Sequence, residues 1–188
     1  PYTVQIAAAN VAPAALDALK QQIETRLKEI NRQMSHFDPG SELSRFNRAP
    51  AGQPFAVSPE FARVMRFALT LAERSGGAFD PTLGPVINLW GFGEQSDQRA
   101  VPSEREIADA LRRVGHRHLT VTDRGELVKD IPQLALNLSA VAKGFGVDEI
   151  IRILRQQGYT NSYAAIAGEV MTSGHTARGT PWQVAITE

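Results

Sequence analysis

Ser75-Gly76-Gly77-Ala78-Phe79-Asp80-Pro81-Thr82-Leu83-Gly84-Pro85 is the stretch that says most about the fold of this chain. Gly, Pro, Asp and aromatic residues follow one another there, and on to Gly93, without the period of a helix or a strand. We therefore expect a loop whose course is set by local backbone chemistry. Such a loop lets backbone N–H groups and one carboxylate, that of Asp80, approach a ligand closely. An ordinary buried loop is the alternative interpretation of this stretch taken alone.

Length and composition are typical of one globular domain, or of the larger part of a two-lobed one. The 188 residues are 43% hydrophobic and 21% charged, which is ample for a core. Twenty basic and twenty acidic residues cancel, and this balance argues against a nucleic-acid or membrane-surface role. The absence of cysteine excludes disulfides, thiolate nucleophiles and zinc–sulfur sites.

Apolar spacing and capping residues predict four helices. They are expected at 13–34, from Ser58-Pro59 to Gly76-Gly77, from the capping box at Ser103 to Gly115, and at 140–157. The first carries one apolar stripe, made of Leu16, Leu19, Ile23, Leu27, Ile30 and Met34.

Strands are predicted before, between and after these helices. They are expected at 1–6, 119–122, 127–129, 134–138, 163–167 and 182–186, with a turn at 37–40, a hairpin turn at 123–126 and a polar surface loop at 94–101. Hairpins mixed with long separate helices indicate an α+β fold and not a doubly wound sheet. No G-x-G-x-x-G follows a strand, so a Rossmann nucleotide site lacks its fingerprint.

Three long motifs occur in a fixed order. The first is Met34-Ser35-His36-Phe37-Asp38-Pro39-Gly40-Ser41-Glu42-Leu43-Ser44-Arg45-Phe46-Asn47, the second is the stretch quoted above, and the third is Leu138-Ser139-Ala140-Val141-Ala142-Lys143-Gly144. Together they resemble the FAD:protein FMN transferases, the ApbE-like flavin transferase family. The resemblance implies mixed or antiparallel sheets packed with long helices, in a T-fold-like architecture of two lobes around a flavin cleft. It also implies one family domain over 1–188, incomplete at its C-terminus.

The resemblance implies which residues of this chain form its site. The positions that contact FAD in the family match Met34, Phe55, Ala78, Phe79, Asp80, Asn137 and Lys143. Lys143 and Asp80 are expected to be the catalytic residues, and the Ala140 carbonyl is expected to bind Mg²⁺. The other metal ligands of the family, an acidic residue and a hydroxyl, are expected beyond Glu188.

The residues themselves leave alternatives open. Lys143 near a helix N-terminus, with Gly144 and Gly146 close by, is either part of a diphosphate cradle or a solvated lysine. Asp80 either accepts hydrogen bonds from the flavin, with its carboxylate free to point inward, or holds its own turn.

Core packing is an alternative for the two large apolar candidates. Phe55 either stacks on a flavin or adenine face or packs in the core. Met34 closes the stripe of the first helix, so core packing explains it as well.

Two positions depart from the family, and four histidines are scattered. Asn137 stands where aspartate is usual, and Ala167 stands where Gly-Gly-Glu has its first glycine, which matters only if its φ is positive. Both departures bear on catalytic rate more than on flavin binding.

His116 and His118 are interpreted as an exposed pair, while His36 and His175 are apart from them.

The resemblance implies a magnesium-dependent transferase. It would move FMN from FAD to a Thr or Ser hydroxyl of an acceptor, through a phosphodiester bond, and release AMP. The acceptor is expected to be a membrane-bound respiratory flavoprotein, and the protein to be periplasmic, with an export signal removed or a lipoprotein anchor in its precursor. A non-catalytic FAD or FMN carrier or maturation factor is the alternative, and hydrolysis of FAD to FMN and AMP is a third.

Overall fold

A computed structural model of the chain describes residues 1–93 and 101–185. Within them the α-helices are α1 (Pro13–Met34), α2 (Glu42–Arg48), α3 (Pro59–Arg74), α4 (Gly84–Leu89), α5 (Glu104–Leu111) and α6 (Ser139–Gln156). The strands are β1 (Tyr2–Ile6), β2 (Phe55–Ala56), β3 (Leu119–Val121), β4 (Glu126–Lys129), β5 (Ser162–Ile166) and β6 (Glu169–Ser173). None of the helices in this part of the chain is both long and apolar enough to cross a membrane.

The chain divides into two compact units. Unit 1 comprises Pro1–Ile30 and Ala142–Glu188, and unit 2 comprises Asn31–Val141. Helices α1 and α6 each contribute residues to both units.

Unit 1 contains an antiparallel sheet of order β1-β5-β6. Ala164 at its centre lies opposite Val4 on one side and Met171 on the other. The core packed on this sheet consists of buried residues from α1, α6 and β5: Leu19, Ile23, Val147, Ile150, Ile151, Ile153, Leu154 and Ala164. The predicted strands near 1–6 and 163–167 are confirmed, whereas the prediction missed β6.

Helix α1 has the predicted bounds. Pro13 is its first residue, where the missing N–H costs no hydrogen bond. Four residues of the predicted stripe are buried, namely Leu19, Ile23, Ile30 and Met34, but Leu16 is 44% exposed and lies outside the core. Periodicity shows which residues share a face, and it does not show how far the covering layer extends.

Unit 2 contains a second antiparallel sheet, of order β2-β4-β3. The predicted hairpin is confirmed, with Leu119 opposite Lys129 and Val121 opposite Leu127. The side chain of Ser58 caps α3, and Ser103 and Glu106 form the predicted capping box of α5.

Several local predictions for unit 2 were wrong. The prediction missed α2, capped by Ser41, and α4, which lies inside the stretch interpreted as a loop without periodicity. Segment 134–138 forms only an isolated bridge from Ala135 to Leu83, because side chains bind its backbone along one edge and the loop at 81–84 binds it along the other. Helix α5 ends at Leu111, before Gly115.

Two predictions concern the incompletely described segments. In unit 1 the predicted strand 182–186 is wrong for 182–185, which are irregular, and its last residue lies outside the described part of the chain. The surface loop predicted at 94–101 falls outside it as well, except for its last residue.

Candidate functional site

Lys143 lies near the start of α6, four residues after Ser139. Its Nζ atom is 2.8 Å from the carboxylate of Glu169, the first residue of β6, and the two side chains are 39% and 35% exposed. The lysine is therefore neither a bare cation nor a solvated residue without a partner. An anionic ligand of Lys143 would share this ammonium with Glu169 or displace it.

The two glycines after Lys143 have different roles. A Cβ atom on Gly144 would meet no other atom within 4 Å, so this position leaves the helix surface open. A Cβ atom on Gly146 would lie 3.0 Å from the side chain of Ile166, so this glycine lets β5 pack closely on α6. Of the two glycines expected to allow a ligand to approach, the geometry favours only Gly144.

Ala167 adopts a left-handed backbone conformation. The tight turn between β5 and β6 has Ala167 and Gly168 between the paired residues Ile166 and Glu169. Their φ angles are 46° and 101°, and two positive values are typical of a type I′ turn. The methyl group thus stands at a position that favours glycine, in the turn that presents Glu169 to Lys143.

The carboxylate of Asp80 is fully engaged within unit 2. Its Oδ1 atom accepts hydrogen bonds from the Thr82 N–H at 2.8 Å and the Thr82 hydroxyl at 2.6 Å. Its Oδ2 atom accepts from the His116 N–H at 2.9 Å and lies 3.1 Å from His116 Nδ1. Of the two alternatives for Asp80, the structure favours the one in which the carboxylate holds its own turn, because these contacts use both of its oxygens.

These hydrogen bonds also decide the charge of the carboxyl. Burial alone works to raise the pKa of Asp80, but hydrogen bonds from Thr82 and His116 outweigh it and hold the pKa below its ordinary value. Asp80 is therefore ionised at neutral pH and acts there as an acceptor, not as an acid.

His116 was wrongly interpreted as exposed. Its side chain is only 13% exposed and lies against Asp80, whereas His118 is 44% exposed and contacts Asp130. The sequence does signal the role of Thr82, because an Asp that bonds the N–H two residues later is a common turn device. Nothing local signals His116, which is distant from Asp80 in the chain.

The second motif lies beside residues 135–137, which precede the third motif, and both segments belong to unit 2. The N–H of Asn137 donates to the carbonyl of Pro81 at 2.9 Å, and the N–H of Gly84 donates to the carbonyl of Ala135 at 3.2 Å. Gly84 is required here, since a Cβ atom would come within 2.5 Å of the Ala135 oxygen. The Asn137 side chain accepts from the Ser139 N–H at 3.0 Å and so stabilises the start of α6.

The remaining FAD positions stay predictions. Met34 is almost completely buried, as core packing requires, and Phe55 is half-buried with its ring edge-on to Phe46 at 5.8 Å between centroids. Phe79 is half-buried, while Ala78 is exposed beside the left-handed Gly76-Gly77 pair.

The described residues do not make up a magnesium site. Ala140 is exposed in the first turn of α6, and its carbonyl oxygen is chemically suitable for Mg²⁺. It is one donor, whereas Mg²⁺ takes about six oxygen ligands. No group of three or more His, Asp or Glu that could hold a metal lies within 1–93 and 101–185.

Known proteins resemble this chain in sequence along its length. The family model described as ApbE family matches residues 1–188. The FAD:protein FMN transferase of Vibrio cholerae is 41% identical over 168 residues, which are 89% of this chain and 50% of that protein. The one from Haemophilus influenzae is 37% identical over 177 residues, covering 92% and 51%. The chain thus spans about half the length of these curated relatives.

Solved structures agree with the fold. Flavin transferase ApbE from Vibrio cholerae matches with a TM-score of 0.92 and 38% identity, over 98% of this chain and 59% of that one. The apo form of Pseudomonas stutzeri flavinyl transferase ApbE matches with a TM-score of 0.89 and 33% identity, over 98% and 61%. The predicted α+β class is confirmed, and this chain belongs to the ApbE family.

Proposed function

We propose that the protein containing this chain is a flavin transferase that moves FMN from FAD to a hydroxyl of an acceptor protein. The observation that carries the proposal is the 41% identity, over 89% of the chain, to a protein named FAD:protein FMN transferase. The described geometry is compatible with it, because Lys143 lies near the N-terminus of α6 beside the open position of Gly144, and helix N-termini bind phosphate groups.

The reaction exchanges one phosphorus–oxygen bond for another. The Thr or Ser oxygen attacks the phosphorus on the FMN side of the FAD diphosphate, and the bond from that phosphorus to the bridging oxygen breaks. AMP leaves with the bridging oxygen, the hydroxyl proton passes to solvent or a base, and the FMN is left in a phosphodiester. Little covalent work falls to a protein in such reactions, so positioning and charge neutralisation dominate.

Lys143 is the group proposed to neutralise charge. Its ammonium would bind a diphosphate oxygen, and Glu169, which pairs with it in the absence of the ligand, would compete with the diphosphate for it. Asp80 is proposed to act through the loop that it holds, since its oxygens are already engaged by Thr82 and His116. It would fix the backbone of Phe79 for contact with the flavin.

Further features of the proposal rest on the family resemblance. They are a dependence on Mg²⁺ with the Ala140 carbonyl as one ligand, a membrane-bound respiratory flavoprotein as acceptor, and a periplasmic location. When bound, the metal would neutralise diphosphate charge and polarise the phosphoryl group.

The test is an incubation of the full-length protein with FAD, Mg²⁺ and an acceptor domain that carries a Thr or Ser flavinylation site. Mass spectrometry follows covalent FMN on the acceptor, and chromatography follows AMP. We expect both products only when acceptor and metal are present, and a large loss in Lys143→Ala but not in Lys28→Ala, which changes an exposed lysine of α1.

Other outcomes would refute the proposal in distinguishable ways. AMP release without acceptor would identify a hydrolase. Tight FAD binding without AMP release or covalent flavin would identify a carrier or maturation factor.

A further inference from the structure

Lys129 is a buried lysine that no site prediction includes. It is the last residue of β4 and is 1% exposed, and its ammonium donates to the carbonyls of Asn47 and Leu134, both at 2.9 Å. The ammonium also lies 5.2 Å from the centre of the Phe46 ring. Among the described residues, the Lys129 ammonium thus contacts two carbonyls and one aromatic ring, and all three are uncharged.

Asn47 completes the same network. Its side-chain oxygen accepts from the Leu136 N–H at 2.7 Å, and its side-chain nitrogen donates to the Leu136 carbonyl at 3.1 Å. The amide of one side chain therefore pairs with both backbone groups of one residue, as a neighbouring β-strand would. This pairing explains how segment 134–138 stays extended and buried outside a sheet.

The opposite edge of this segment has different partners. The Ala135 carbonyl accepts from the Gly84 N–H, and the Asn137 N–H donates to Pro81. Backbone groups therefore alternate along the segment: 134 and 136 face Lys129 and Asn47, whereas 135 and 137 face the Asp80 loop. A segment held along both edges has little freedom to shift in register.

The next residues are those that the proposed function uses. Asn137 is a predicted FAD contact and fixes the start of α6, and Ala140 is the predicted metal ligand. A shift of the Leu136 backbone would also displace Asn137 and Ala140, because these residues follow it closely in the chain.

We propose that Lys129 and Asn47 are positioning residues of the flavin site, which hold the 137–140 backbone in place through the backbone groups of Leu134 and Leu136. The inference rests on the proposed function. Neither side chain touches FAD in it; both act through the segment that they bind. A role confined to stability is the competing explanation, and the test must separate the two.

The test uses the full-length protein and two variants, Lys129→Met and Asn47→Asp. Methionine keeps the length of the side chain but removes the donors, and aspartate keeps one acceptor but loses the donor to Leu136. Lys28→Met and Asn31→Asp, at exposed positions of α1, are the matched controls. Asn47→Ser serves as a third variant if either of the first two fails to fold.

The first readout is amide hydrogen exchange of the ligand-free protein. We expect faster exchange at 136–140 in the variants, with the amides of α3 unchanged. The second readout is kcat and KM for FAD, per folded molecule and well below the unfolding temperature. We expect kcat/KM of Lys129→Met and Asn47→Asp to fall on the order of tenfold to a hundredfold, because small displacements of groups in a site slow a reaction by such factors. We expect kcat/KM of the controls to stay unchanged.

Two outcomes would overturn the inference. Unchanged exchange at 136–140 would show that the network does not hold the segment, and this readout stands even if the unmodified protein transfers no FMN and the proposed function fails. A lowered unfolding temperature with normal kcat and KM per folded molecule would show a role confined to stability.

Discussion

Replacing Ala167 by glycine should stabilise the protein, although glycine substitutions usually destabilise. Ala167 has a φ of 46°, and its exposed methyl group contributes little burial. In the left-handed region a Cβ atom lies too close to the following carbonyl oxygen, and glycine removes that conflict.

The magnitude follows from two opposing terms. A non-glycine residue in this region costs roughly 1–2 kcal/mol. Glycine also destabilises the folded state by roughly 0.5–1 kcal/mol, because it gives the unfolded chain more conformational freedom, and this offsets part of the gain. The net gain in unfolding free energy for Ala167→Gly is therefore about 0–1.5 kcal/mol, with a central value of about 0.75 kcal/mol, which corresponds to about 1.5–3 °C in a protein of this size.

The assay pairs thermal unfolding with amide exchange in the β5–β6 hairpin, which reports on that hairpin even if the two units unfold separately. Ala165→Gly is the matched control, because the same substitution inside strand β5 should destabilise by roughly 0.5–1 kcal/mol. Changes of opposite sign in the unfolding free energy of the two variants would confirm the reasoning. Equal destabilisation by the two substitutions would refute it, since Ala167 would then not have a strained backbone.

Four further predictions concern the site. Lys143→Ala should weaken binding of FAD by on the order of tenfold and binding of riboflavin much less, because only FAD carries the diphosphate; calorimetric titration of both would show it, and equal losses would count against the proposed role. Glu169→Gln should tighten FAD binding by up to about fivefold, since a partly exposed ion pair is worth about 0–1 kcal/mol; weaker binding in the same titration would mean that the carboxylate orients the lysine instead. Because the pKa of Asp80 is lowered by folding, its carboxylate stabilises the protein fully above about pH 5, and this contribution is lost as the pH falls through the folded pKa. In urea unfolding, Asp80→Asn should therefore be less stable than the unmodified protein at pH 7, with a smaller difference near pH 3; a constant difference would exclude this linkage. Asn137→Asp should keep the start of α6 intact and raise Mg²⁺-dependent turnover, as release of AMP would measure; an unchanged rate would make the departure neutral.

Short-range chemistry made much of the fold predictable. Helix α1, the Ser58 and Ser103 caps and the β3–β4 hairpin each depend on residues a few positions apart. Helix α4 was missed because Gly84 and Pro85 at its start are typical of loops. Segment 134–138 looked like a strand because it alternates, and alternation reports burial of every second residue, whatever satisfies the backbone.

The sequence alone determined the family of this chain, its α+β class and the positions of its motifs. These features can be recognised from the order of residues alone, because they consist of long motifs in a fixed order and of apolar residues at regular spacing. The tertiary structure alone decided which groups those motifs meet. Asp80 binds His116, 36 positions away, and Lys129 binds the carbonyl of Asn47, 82 positions away. Hydrogen bonds between distant residues depend on how the chain closes on itself, and no local pattern encodes that closure.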